Sequence, residues 1–223
     1  MKEEGVPDGG RLAELAGAIL TCAECEQWSS TKPPEPFWVG PDYRRGGIVL
    51  LARNPADKGG RPLPPETQEL LDLLRDSGTA EDFRAWADWR RRDMQSRWSD
   101  GKPWDQWANA FGPATRDVAS PDELAWLNVS PARTAGNTKP PDHQLQHGRD
   151  KHLRPVLQEL RPHHIVWRYV DAQKAAVYMK RERRGTWRTD LGMGGLVASK
   201  ATASASISSF ADRGLGSSQG GLR

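Results

Sequence analysis

Residues 48–55 read IVLLARNP, and this stretch decides the fold. Five apolar residues from Ile48 to Ala52 form a continuous run, which is typical of a strand buried on both faces of a parallel sheet. Because Pro55 cannot donate to a strand ladder, the strand is predicted to end there. Arg53 and Asn54 would then lie at the carboxyl end of a central strand, where open α/β sheets place their ligands. An ordinary strand followed by a polar turn would explain the same residues.

Apolar runs alternate with helical patterns along the rest of the chain. Further strands are predicted within residues 123–130, which contain LAWLNVS, at 165–170 and, as a short fourth strand, at 194–199. This alternation favours a parallel sheet covered on both faces, so the sequence predicts a three-layer α/β/α sandwich with a short, mainly parallel central sheet. Helices are predicted at 11–20, from 64 to 77, 80–98, 103–111, 153–160 and 171–184.

Length and composition indicate one domain and a tail. The 223 residues suffice for one sizeable α/β domain. From residue 200 onward the chain is mostly Ala, Ser and Gly and has little to bury. We therefore expect a single domain over residues 1–199 and a disordered tail over 200–223.

The charge distribution and the apolar pattern of the chain indicate which partners and which compartment to expect. The net charge is only +3, but residues 149–188 hold eleven Lys or Arg against four Asp or Glu, an excess of seven. This excess suits a nucleic acid, although a solvated helix face would show it too. No apolar run could span a bilayer, the first ten residues lack a secretory signal, and there are two cysteines. These features predict a cytoplasmic protein with no membrane association.

Cys22 and Cys25 form a C-x-x-C pair, which could supply half of a zinc or iron–sulfur site. A closed site needs four ligands. The chain has no other cysteine, and its five histidines all lie at or beyond His143. The sequence therefore predicts a reduced, structural cysteine pair and no metal.

Two predicted strand ends each present an asparagine, Asn54 after LLAR and Asn128 after LAWL. In a parallel sheet both would face the same crevice. An amide can accept from a pyrimidine ring N–H and donate to a ring carbonyl, so it can read a base edge. The alternative is that each amide caps its own turn.

These motifs resemble, in order and spacing, those of the uracil-DNA glycosylase superfamily. The stretch ARNPA at 52–56 is similar to the first motif, and its Asn-Pro pair is closest to the mismatch-specific and single-strand-selective branches. The stretch WLNVSPAR at 126–133 looks like the strand that ends in a uracil-reading asparagine. The stretch LRPVLQELRPHHIVW at 153–167 looks like the helix, proline and strand that follow, and the resemblance covers residues 22–176.

The resemblance implies a monomeric, cofactor-free enzyme that hydrolyses the N-glycosidic bond of uracil, or of a related damaged pyrimidine, in DNA. By this resemblance, Asn54 would be the catalytic residue that positions the attacking water. Arg53, Pro55 and Asn128 would contact the flipped base, with backbone N–H groups stabilising the charge that develops on it. Phosphates would be bound by loop residues at the same edge, namely Lys58, Gly59, Gly60, Arg61 and Arg133.

The chain departs from the family pattern in three places. The stretch GRPL at 60–63 lacks the aromatic that stacks on the base, and Ala52 and Ala56 stand where glycines are common. No histidine follows His164, so the C-terminal His-Pro-Ser motif is missing. The alternative is therefore a nucleic-acid-binding protein of the same fold with little or no turnover. A nucleotide-binding α/β protein is disfavoured because no glycine-rich phosphate loop follows any strand.

Overall fold

The fold is a mixed α/β structure built on a five-stranded sheet, four strands of which run parallel. The computed structural model describes residues 5–30, 32–55, 62–97, 121–167, 170–182 and 188–190. The strand order is β1-β3-β2-β4-β5, with β1 antiparallel to β3. The strands are β1 (Trp38–Val39), β2 (Ile48–Ala52), β3 (Leu124–Asn128), β4 (His164–Trp167) and β5 (Arg188–Asp190).

The helices connect and cover these strands. A π-helical turn at Gly148–Leu153 joins two of them, and short 3-10 turns lie at Pro121–Glu123 and Ala135–Asn137. The α-helices of the described residues are α1 (Gly9–Leu20), α2 (Ala23–Trp28), α3 (Pro65–Asp76), α4 (Ala80–Arg97), α5 (Asp142–His147), α6 (Arg154–Leu160) and α7 (Val170–Glu182).

Strand β2 is central and its successive side chains enter two separate core clusters. Val49 and Leu51 pack in the larger cluster, which includes residues of α1, α3, α4, α6 and α7. Leu50 packs in a smaller cluster with Trp38 and Val166. Because successive strand residues point to opposite faces, both faces of β2 are buried. This explains why its sequence is continuously apolar.

Several element boundaries differ from the sequence prediction. Strand β1 lies outside every predicted strand, within the proline- and glycine-rich residues 27–47. The third predicted strand is shorter than expected, because Val170 begins α7 instead of ending β4. The last observed strand is β5, ahead of the predicted 194–199 segment. That segment, the predicted helix 103–111 and the tail 200–223 lie outside the described residues.

Across the described residues, no helix combines the length and the apolar character needed to cross a membrane.

Candidate functional site

The two strand ends predicted to share a crevice are direct neighbours in the sheet. Ala52 of β2 and Asn128 of β3 are register partners. The pairing continues past the strands, because the Val129 N–H donates to the Ala52 carbonyl and the Ser130 N–H donates to the Arg53 carbonyl, each at 2.9 Å. The segments that bear Asn54 and Asn128 therefore leave the sheet side by side, at its carboxyl edge.

The Asn54 side chain is held in one orientation by its neighbours. Its Nδ2 donates to Thr134 Oγ1 at 3.0 Å and to the Pro55 carbonyl at 3.3 Å. Its Oδ1 accepts from Arg53 Nε at 3.2 Å. The residue is half-buried. A carbonyl oxygen has two lone pairs, so Oδ1 can accept a further hydrogen bond, for example from a water molecule.

A cationic pair lies beside this amide. The Arg53 guanidinium is 3.9 Å from Asp171 at the start of α7, and Lys139 Nζ is 3.3 Å from the other oxygen of the same carboxylate. Lys139 also binds Asp142 at 2.9 Å. The pKa of Lys139 is raised by its hydrogen bonds to Asp142 and Asp171. The lysine therefore stays protonated at the edge of the crevice, where it is about half exposed (47%).

Asn128 is half-buried at the end of β3 and lies on the same sheet face as its partner Ala52. It borders a small cavity together with Glu35 and His152. The volume of that cavity is about 10 Å³, which is room for about one water molecule. The cavity is too small for a pyrimidine ring, so it cannot itself hold a flipped base.

Arg133 does not occupy the surface position that a phosphate ligand needs. Its side chain is buried and forms an ion pair with the buried carboxylate of Glu35. Glu35 also binds Arg90 of α4 at 2.7 Å. The sequence predicted that Arg133 binds DNA, and the structure places its side chain in this buried network.

The other predicted phosphate-binding residues cannot be placed. Lys58, Gly59, Gly60 and Arg61 lie outside the described residues.

A second cluster lies where α2 meets the segment that follows β3. The side chains of Cys22 and Cys25 approach two histidines, with Cys22 Sγ 3.3 Å from His147 Nε2 and Cys25 Sγ 3.3 Å from His152 Nε2. The four ligand atoms all lie within 4.8 Å of one another. The sequence predicted a cysteine pair alone, and the structure corrects this because two histidines complete a set of four metal-binding donors.

Burial shifts the pKa values of two side chains in this cluster. It raises the pKa of the Cys25 thiol above its ordinary range, with the neighbouring Cys22 adding to the effect. It lowers the pKa of His152 to about 4, with the charges of His147 and Lys151 acting in the same direction. His152 is therefore neutral at pH 7, which is the form of imidazole that binds metals.

Besides the two histidines, sequence reasoning missed three contributors to the site at the strand ends. Thr134 and Lys139 lie between the predicted strand 123–130 and the predicted helix 153–160, and Asp171 was predicted only as the first residue of a helix. The signal that could have identified them is their position just after a strand end or at the start of the next helix, where parallel sheets gather polar groups.

No family model matches this chain, and no curated protein matches it either.

Proposed function

We propose that the chain is a DNA glycosylase that hydrolyses the N-glycosidic bond of uracil, or of a related damaged pyrimidine, in DNA. The observation that supports this most directly is the pairing of the two asparagine-bearing strand ends, with Ala52 opposite Asn128. Neighbouring strands lie about 4.8 Å apart. One flipped pyrimidine is large enough to reach both ends.

The proposal includes a finer architecture, a three-layer α/β/α sandwich. It is supported by the two core clusters on opposite faces of β2, one with Val49 and Leu51 and the other with Leu50. In such a fold the carboxyl edge of the parallel strands is the expected ligand site.

In the proposed reaction a water molecule attacks the anomeric carbon of the deoxyribose. A new carbon–oxygen bond forms, the bond to the base nitrogen breaks, and the electron pair leaves with the base as its anion. The proton of the water passes to solvent. Asn54 Oδ1 would accept a hydrogen bond from that water, since its Nδ2 is already fixed on Thr134.

The base would be recognised by Asn128. Its amide oxygen would accept the ring N–H of uracil, and its NH₂ would donate to the adjacent carbonyl. Backbone N–H groups near Arg53 and Asn54 would stabilise the negative charge that moves onto the departing base. DNA phosphates would be contacted by Arg53 and Lys139, which in the absence of DNA are paired with carboxylates.

The rate is expected to be low. The sequence has no histidine after His164, so the loop donor that the resemblance would place on the departing base is missing. Loss of one such donor costs about 10²–10³ in rate.

The test is a single-turnover assay with enzyme in excess over a uracil-containing oligonucleotide, single- and double-stranded, with abasic sites revealed by alkaline cleavage. Asn54→Ala and Asn128→Ala should each lower the rate by about 100-fold or more. Glu69→Gln, an exposed change on α3, is the matched control and should leave the rate unchanged.

A second variant keeps the proposal falsifiable if the wild-type rate is very low. Asn54→Asp introduces a carboxylate that can accept the proton of the attacking water, and it should raise the rate. If neither the wild type nor Asn54→Asp releases uracil, the glycosylase proposal is wrong. Binding of DNA with a steep salt dependence and no base release would then support the nucleic-acid-binding alternative.

A further inference from the structure

We propose that this chain binds a zinc ion in a closed, tetrahedral structural site formed by two thiolates and two imidazoles, those of Cys22, Cys25, His147 and His152. The site is distinct from the edge that bears Asn54, and the inference does not depend on the proposed function. It replaces the sequence expectation of a lone cysteine pair.

The spacing of the ligand atoms fits a single ion. Zinc bonds of about 2.0–2.3 Å to nitrogen and sulfur place neighbouring ligands of a tetrahedron roughly 3.3–3.8 Å apart. Each cysteine sulfur lies 3.3 Å from a histidine Nε2, in the pairs Cys22–His147 and Cys25–His152. All four ligand atoms lie within 4.8 Å of one another, so little rearrangement is needed to surround one metal.

The donor set favours zinc over iron. Two cysteines with two histidines form a common structural zinc site, and four protein ligands leave no open position for catalysis. A four-iron cluster is usually held by four cysteines, and the chain has two. A two-iron cluster with mixed ligands would separate its cysteines from its histidines. Here each sulfur lies close to an imidazole nitrogen.

The backbone is shaped to bring the two histidines together. His147 ends α5, and His152 lies five residues later in the π-helical turn Gly148–Leu153. In an α-helix, residues five apart point about 140° away from each other. The wider π turn reduces this angle, and the two rings lie 5.5 Å apart between centroids. Single π turns are rare in proteins overall, but those that occur are often found at functional sites.

Burial supports a bound ion at this place. Cys22, Cys25 and His152 are buried, and His147 is half-buried. Two thiolates and one divalent ion give a neutral unit, which can be buried at far lower cost than an isolated charge. Trp28 packs edge-on against His147 at 5.1 Å and helps to orient that ring.

The ion would join distant parts of the chain. The cysteines flank the start of α2, whereas the histidines belong to the segment that follows β3. Gly148, between the histidines, packs so closely on the residues just after β3 that an added Cβ would overlap the Val129 carbonyl. A bound ion would therefore hold the segment that follows β3 and Asn128 in place against α2, near the N-terminus.

The first experiment measures metal in the full chain as purified, without added chelator. Elemental analysis should give about one zinc per chain. After replacement by Co²⁺, the spectrum should show the intense visible bands of a tetrahedral site with cysteine ligands. Reaction with a thiol reagent should be slow in the zinc form and fast after chelation, and chelation should lower Tm by at least about 5 °C.

The variant pair His147→Gln and His143→Gln provides a matched control. Both histidines belong to α5 and both rings contact Trp28, but only His147 is in the cluster. His147→Gln should weaken zinc binding by more than about 100-fold, since loss of an outer-sphere partner alone costs 10- to 100-fold. His143→Gln should bind zinc as the wild type does.

Three outcomes would overturn the inference. One is a folded wild-type chain that contains no metal and shows no tight binding when zinc is titrated into it. Another is iron, with the visible absorption of an iron–sulfur cluster, in place of zinc. The third is an equal loss of zinc binding in both histidine variants. Because the cobalt spectrum is measured on the wild type, a variant that fails to fold leaves the test intact.

Discussion

Asn54 donates a hydrogen bond to Thr134 across 3.0 Å and so links the end of β2 to the loop that follows β3. The direction of this bond is determined by a third residue. The Thr134 hydroxyl donates its own proton to the Thr138 carbonyl at 2.5 Å, so its oxygen acts as the acceptor for Asn54 Nδ2. The chain Asn54–Thr134–Thr138 therefore keeps Asn54 Oδ1 turned away from Thr134, where a water molecule can reach it.

Removal of this hydroxyl should impair the proposed reaction without unfolding the protein. Thr134→Val keeps the shape of the side chain but removes one of the three hydrogen bonds that orient Asn54, so the rate of uracil release should fall about 10-fold. Thr134→Ser retains the hydroxyl and should keep most of the rate. Single-turnover kinetics on both variants, beside their melting curves, provide the measurement. Equal rates for the two variants would show that Thr134 does not position Asn54.

Lys139 is predicted to contact a DNA phosphate. It is about half exposed, pairs with Asp142 and shares the Asp171 carboxylate with Arg53, so a phosphate would compete with these carboxylates for its ammonium group. Lys139→Ala should weaken DNA binding for every sequence and lower the slope of log K against log salt by about 1. Binding isotherms at several salt concentrations measure that slope.

The control for this prediction is Arg92→Ala, since Arg92 is an exposed cation (68%) on α4. It should leave the salt slope as it is in the wild type. A slope that falls equally in both variants would indicate that net charge, and not a contact made by Lys139, governs binding.

The strand ends could be predicted from the sequence, whereas the cysteine–histidine cluster could not. Strand β2 is indicated by a local pattern, five apolar residues closed by a proline, and parallel strands bring their ends to one edge whatever the rest of the chain does. The cysteines and histidines lie 125 and 127 residues apart along the chain. Their meeting depends on how α2 packs and on one π turn, and neither feature has a local sequence signal.

The burial of Arg133 could not be predicted for a related reason. Its position just after a strand end suggested a phosphate ligand, but the pattern of the sequence does not show that Glu35 is buried beside it. A guanidinium and a carboxylate that are distant in sequence pair only once the tertiary fold is complete.

Glu35 should therefore matter more for stability than any exposed acid. It is buried between Arg133 and Arg90, and loss of its charge removes the carboxylate that pairs with the buried Arg133 guanidinium. Glu35→Gln should lower the free energy of unfolding by about 3 kcal/mol. Glu14→Gln, which breaks the exposed i,i+3 pair with Arg11, should cost less than about 1 kcal/mol. Urea unfolding at pH 7 measures both, and similar losses would contradict the buried-network interpretation.

Asp82 should give the start of α4 a pH-dependent stability. Its carboxylate accepts from Ser77 Oγ at 2.6 Å and from Thr79 Oγ1 at 2.5 Å and N at 3.0 Å, while its own N–H donates to Thr79 Oγ1 at 3.2 Å. This reciprocal pair is a capping box at the helix N-terminus. The hydrogen bonds from Ser77 and Thr79 lower the pKa of Asp82 in the folded state.

Because the pKa is lower in the folded protein than in the unfolded chain, the stabilisation is present above the unfolded value, about 3.9, and is lost as the pH falls through the folded value. Asp82→Ala should lower the free energy of unfolding by about 1 kcal/mol at pH 7, and its difference from the wild type should shrink on acidification below pH ~4. Glu69→Ala, an exposed acid in the middle of α3, should show no such pH-dependent difference. Denaturant unfolding of the three proteins at pH 7, 5 and 3 measures this. A difference for Asp82→Ala that stays constant down to the lowest pH would mean that the charge of the carboxylate does not stabilise the cap.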